Sequence, residues 1–111
     1  MYRTHILTLM LSFGILAGCA PSEKEYEAIV TTLQGSAKAR QFAISECVKG
    51  FSTSQRRAAA IIIDSTEKNA ARVACTRAVE AMRSGRLTYA DAVDMKKGKF
   101  TPKLVKIVQG R

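Results

Sequence analysis

Apolar residues recur along this chain with helical spacing, and the spacing is interrupted where residues that start or stop helices stand. Tyr26, Ile29, Val30 and Leu33 fall at i, i+3, i+4 and i+7, which places them on one helix face. Ser22 precedes them and Glu25 stands three residues on, the arrangement of a capping box. Glu23, Glu25 and Glu27 add negative charge near the positive end of the helix dipole. Gly35-Ser36 either ends this helix or only weakens it. A second periodic stretch runs from Ala37 to Lys49, with Ile44, Cys47, Val48 and Phe51 as its apolar stripe and Gly50 at its end.

Ser52-Thr53-Ser54-Gln55 predicts another capped start, leading into Arg56-Arg57 and the run Ala58 to Ile63. That run is apolar on every side, which predicts deep burial. Helix is the expected conformation; a short strand is the alternative, because three successive β-branched residues favour one. Asp64-Ser65-Thr66-Glu67 repeats the cap-plus-Glu pattern and either opens a new helix or lies within a long one. From Ser65 to Ser84, Ala71, Cys75, Ala78, Val79 and Met82 recur at helical spacing, and Gly85 suits the position just past the end. A short helix is expected from Thr88 to Lys97, with Val93 and Met95 as its larger apolar residues. Thr101-Pro102 then opens a last one, with Leu104, Ile107 and Val108 on its buried side.

These elements predict an all-α fold, a small disulfide-stapled helical bundle of about four to five helices. Abundant alanine and few aromatics also favour close-packed helices over a sheet. The beginning of the chain reads differently. Arg3 and His5 precede an apolar run from Ile6 to Leu16, followed by small residues, which is the layout of a secretory signal peptide. The run is too short for a bilayer span, which needs about 20 apolar residues.

Leu16-Ala17-Gly18-Cys19 resembles the lipobox of bacterial lipoproteins. The resemblance implies cleavage between Gly18 and Cys19, a diacylglyceryl thioether on Cys19 and acylation of the new amino group. The expected organisation is a signal peptide at 1–18, a lipid-anchored tether at 19–22 and a helical periplasmic domain at 23–111. Ala20 follows the lipidated cysteine. In the lipoproteins this chain resembles, an aspartate there favours retention at the inner membrane, so alanine implies the periplasmic face of the outer membrane.

Cleavage would take 18 of the 111 residues and leave 93, one small domain. Cys47 and Cys75 then remain as an even pair in an exported domain, which reads as a disulfide. The alternative is two free thiols. Both cysteines lie in apolar helical stripes whose faces must pack together. A crosslink 28 positions long would add roughly 3–4 kcal/mol in the chain-entropy model.

The whole chain carries 18 Lys and Arg against nine Asp and Glu, a net charge of +9. Much of the excess is concentrated at 96–111, a segment that carries Lys96, Lys97, Lys99, Lys103, Lys106 and Arg111 and no side-chain acid of its own. On an exported protein such a segment faces anionic partners, namely lipid headgroups or cell-wall polymer. A solvated basic end is the competing explanation. Nucleic acid is not an expected partner outside the cytoplasm.

Catalytic candidates are scarce. The single histidine, His5, lies in the signal peptide, so no Ser-His-Asp triad, Cys-His pair or histidine metal site is expected in the mature chain. No cofactor or metal is expected. Asp91 and Asp94 share a helix face, but as exposed charges beside Lys96 and Lys97 they suggest no acid–base pair. Arg72 and Arg83 share a face near Arg86 and could grip an anion. Arginine stems flanking an apolar stripe, with their heads in water, are the preferred explanation.

Two likenesses are looser. Cys47, Cys75 and the helices between them are similar to the small acid-stress chaperones of the periplasm. Those are soluble, and their cysteines are more widely spaced. A lipobox with a later Cys75-Thr76-Arg77-Ala78-Val79-Glu80-Ala81 is similar to plasmid-encoded exclusion lipoproteins, which are generally shorter. The expectation is a membrane-anchored, non-enzymatic binding or structural component of the bacterial envelope, with an envelope protein among its possible partners. A chaperone-like or exclusion-type inhibitory lipoprotein is the second reading.

Overall fold

The computed structural model describes residues 22–111, so the lipobox and Cys19 lie outside the described residues. The described residues form six helices: α1 (Glu23–Gly35), α2 (Ala37–Lys49), α3 (Thr53–Ile63), α4 (Glu67–Ser84), α5 (Tyr89–Lys96) and α6 (Pro102–Val108). No strand occurs among them, so the all-α expectation stands. The count exceeds four to five because each doubtful break is real. Ser36 caps α2 by accepting from the Ala39 amide, which stops α1 at Gly35.

Side chains set the helix starts. Ser22, Ser52, Thr66, Thr88 and Thr101 each accept a hydrogen bond from the amide three residues on. At Ser52 the box is reciprocal, with Gln55 accepting from the Ser52 amide at 2.8 Å. The start of α4 departs from expectation. Asp64 is not an N-cap; it closes α3 in the left-handed conformation, φ 52°, and Thr66 caps α4. An aspartate adopts that region more readily than a branched residue does. Gly85, φ 83°, closes α4 as expected.

Helix α4 is the centre of the molecule and packs on α1, α2, α3 and α6. Its buried residues are Ala70, Ala71, Ala74, Cys75, Ala78, Val79 and Ala81. Small side chains on several faces let neighbouring helices approach from different sides, which a stripe of leucines would prevent. At its C-terminal end a conventional core forms from Tyr26, Ala81, Leu87, Leu104 and Ile107, with Val30, Met82, Tyr89, Ala92 and Met95 against it. Tyr26 donates its phenol proton to the Leu87 carbonyl, and its ring lies 5.9 Å from that of Tyr89. Burial, and then the negative charge of Asp91, push the Tyr26 phenol above its ordinary value.

Helices α2 and α3 cover the other part of α4, and neither contains a fully buried residue. This corrects the expectation for the Ala-Ile run. Ile61 is 83% exposed and Ile62 sits at the edge of exposure. An outer helix has protein on one side only, so a run that is apolar all round leaves part of itself in water. The Cys47–Cys75 disulfide ties α2 to α4, with Cα atoms 5.8 Å apart.

Candidate functional site

Where α2 and α3 lean on α4, the contact is incomplete. A cleft of about 440 Å³ opens between them and the C-terminal segment. The disulfide forms part of its wall, since both Cys47 and Cys75 line it, together with Ala74 and Ala78 of α4. Phe51, Ala59 and Ile62 line it from the α2–α3 side, and Met95, Phe100, Val105 and Val108 from the α5–α6 side. The lining is almost wholly apolar. Its one charged residue is Glu46, whose Oε1 is 3.2 Å from Lys49 Nζ. A second, more open hollow of about 430 Å³ lies beside Tyr26, Val30, Met82 and Leu87, with a larger polar share.

Local sequence explains the shape of the first cleft. Small alanines face it from both α3 and α4, so the two helices leave room between them. Gly50 breaks the chain after α2 and delivers Phe51 to the cleft just before Ser52 restarts the helix. Gly98, φ 76°, turns the chain after α5 so that Phe100 stands at the mouth, 59% exposed. The far wall is pinned. Arg77 on α4 donates to the Val108 carbonyl at 2.7 Å, and the Gln109 side-chain amide donates to the Ile62 carbonyl at 3.1 Å. A side chain at Gly110, φ 77°, would press on the Arg77 guanidinium at 3.0 Å and is disfavoured by its backbone as well.

The expected basic residues lie on this same C-terminal segment. Lys96, Lys97, Lys99, Lys103 and Lys106 are all exposed. They are not equivalent, because Lys103 Nζ donates to Asp91 Oδ2 at 2.6 Å. Asp91 itself corrects an expectation: it is buried, at 8% exposure, rather than a solvated charge beside Lys96 and Lys97. Its carboxylate accepts from the Thr88 amide at 2.9 Å and from the Thr88 hydroxyl, completing the cap of α5. Burial alone would raise its pKa. The hydrogen bonds from Lys103 and Thr88, with the lysine charge, outweigh that and hold it below the ordinary carboxylate range. Asp91 is therefore a structural charge, and Asp94, expected to be exposed as well, is half-buried.

The three arginines differ in their surroundings. Arg83 pairs with Glu80 one turn back and draws that carboxyl down by a hydrogen bond, while Arg72 and Arg86 are exposed. No three His, Cys, Asp or Glu side chains among the described residues come together as a metal-holding group. No described helix is long and apolar enough to cross a membrane.

Sequence reasoning missed the cleft. Its signal was weak but present: Phe51 and Phe100 are two of the few aromatics, and both stand just outside helix ends, where no core needs them. No protein-family model, curated protein or solved structure matches the chain.

Proposed function

We propose that this chain is a lipid-anchored component of a bacterial envelope, whose helical domain acts by binding and catalyses no reaction. The observation that carries the reading is Leu16-Ala17-Gly18-Cys19 at the end of a short apolar run. It supports lipidation at Cys19, which would hold the domain beside a membrane, and Ala20 supports the periplasmic face of the outer membrane. A disulfide between Cys47 and Cys75 suits an oxidising compartment outside the cytoplasm. The apolar cleft and the exposed lysines of the C-terminal segment supply surfaces that an anionic lipid, a cell-wall polymer or an envelope protein can contact.

Mass spectrometry of the chain from envelope fractions tests the anchor. The mature protein is expected to begin at an acylated Cys19, and Cys19→Ser is expected to leave an unprocessed precursor. A mature, unlipidated N-terminus at another residue would overturn the reading. The basic segment is tested separately, by binding to anionic and neutral vesicles. A preference for the anionic surface that weakens with salt is expected, and its loss when the five lysines become glutamine.

A chaperone-like or exclusion-type inhibitory role is a second reading. Phe42, 67% exposed, and Ile61 favour it, since both offer apolar surface to a client protein. Suppression of client aggregation by the purified chain, lost in Phe42→Ser with Ile61→Ser, would decide for it.

A further inference from the structure

We infer that the cleft beside the disulfide holds the hydrocarbon chain of a single-chain anionic amphiphile, a fatty carboxylate, with its head beside Phe100 and toward its chain neighbours Lys97 and Lys99. The inference rests on the reading of the domain as a binding module and names what it binds.

Four observations lead there. First, the cleft of about 440 Å³ falls within the size of small-molecule sites, roughly 300–1,000 Å³. A volume of that size accommodates one flexible hydrocarbon chain. Second, its walls are alanine, isoleucine, valine, methionine, phenylalanine and a disulfide, so they offer contact to hydrocarbon and almost no hydrogen bonds. Third, the border is asymmetric. The one charged lining residue, Glu46 on α2, is already paired with Lys49, whereas Met95 and Phe100 are followed or preceded in the chain by the exposed Lys97 and Lys99. Charge complementarity therefore orients the ligand, with its tail toward Cys47–Cys75 and its carboxylate toward the two lysines. Fourth, a second copy of the chain is a poor occupant, because it would bring the same lysine-rich segment of a +9 protein against itself.

The walls also fit a variable guest. Met95 is unbranched and adapts its shape. Phe100, exposed at the mouth, can fold over a bound chain without disturbing the core. Val105 and Val108 are held in place by the Arg77 and Gln109 bonds to the Val108 and Ile62 carbonyls. The cleft is thus braced at its α3–α6 side and adjustable at its lip.

The test is photo-crosslinking of the full chain, as processed by the cell, in vesicles of neutral phosphatidylcholine. The probe is a long-chain fatty carboxylate bearing a diazirine, with the matching fatty alcohol as control. Saturable labelling is expected on Phe51, Ala59, Ile62, Phe100 or Val105, competed by unlabelled palmitate. Ala59→Trp, which fills the cleft, is expected to abolish it. Phe100→Ala changes an exposed residue that folding does not need, and is expected to weaken half-saturation by about tenfold. Lys97→Gln and Lys99→Gln are each expected to weaken it by about fivefold, with less effect at high salt. Labelling spread over the surface, labelling unchanged in Phe100→Ala, or equal labelling by the alcohol would overturn the proposal. So would labelling confined to a co-purifying acidic protein. The mass of the N-terminus, read in the same sample, keeps the two readings apart: a labelled cleft on an unacylated chain would refute the anchor and leave the amphiphile site standing.

Discussion

Two parts of this molecule are held together by different means. Around the C-terminal half of α4, the residues of α1, α5 and α6 close a core in which Tyr26, Leu87, Leu104 and Ile107 are all nearly inaccessible to water. Around the rest of α4, α2 and α3 bury none of their own residues fully, although α4 beneath them is buried at Ala70, Ala71 and Ala74. The first part is stabilised by removing large apolar side chains from water. The second is a cover over small side chains, which return little area each, and the Cys47–Cys75 bond ties its α2 half to α4. The difference has a functional side. A cover that does not seat fully leaves an apolar cleft beside the disulfide, whereas the hollow beside the core, at Tyr26 and Met82, is more open and more polar.

The largest expected effect is on the crosslink. Replacing Cys47 and Cys75 together by alanine should cost roughly 3–4 kcal/mol in urea unfolding, the value for a loop of this length. A loss below 1 kcal/mol would mean that α2 and α3 need no tether, and the contrast between the parts would collapse. Leu104→Ala, in the sealed core, is expected to cost about 2–4 kcal/mol through lost burial and the cavity left behind. Ile61→Ser on the cover is expected to change stability by less than about 0.5 kcal/mol, because most of that side chain is already in water. Similar costs at the two positions would show that the cover buries more than its surface suggests.

Between these effects lies a pH-dependent one. Asp91 has a folded pKa held below its ordinary 3.8, so the unfolded chain takes up its proton first on acidification. Its contribution is therefore complete above the ordinary carboxylate range. It is lost as pH falls from there through the lowered folded value. Asp91→Asn should flatten the acid limb of a stability-against-pH curve and cost about 1 kcal/mol near neutrality, through the weakened cap of α5. An unchanged acid limb would mean that the Lys103–Asp91 pair adds nothing to folding stability.

The sequence made local features plain and long-range ones obscure. Ser22, Ser52, Thr88 and Thr101 were legible as helix starts because a cap is decided within four residues. Cys47 and Cys75 were legible as a pair because an exported domain leaves few other uses for two cysteines. Asp64 misled, since a left-handed stop for α3 and an N-cap for α4 call for the same residue type. The burial of Asp91 depends on Lys103, which arrives from the next helix and leaves no trace in the pattern around Asp91. Ile61 was expected inside because its neighbours are apolar, but burial also needs something on the far side, and none of the described residues covers α3 there. The cleft was hidden for a related reason: it is the space that alanines on two helices leave between them, and no residue in the sequence marks a gap.

Hydrogen exchange of the oxidised and the reduced full chain, compared helix by helix, is the most direct measurement of the contrast. Reduction is expected to accelerate exchange in α2 and α3 strongly while the amides of α4 near Ala81, and those of α5 and α6, keep most of their protection. Uniform acceleration through all six helices, or none in α2 and α3, would contradict the division of the molecule into a sealed core and a tethered cover.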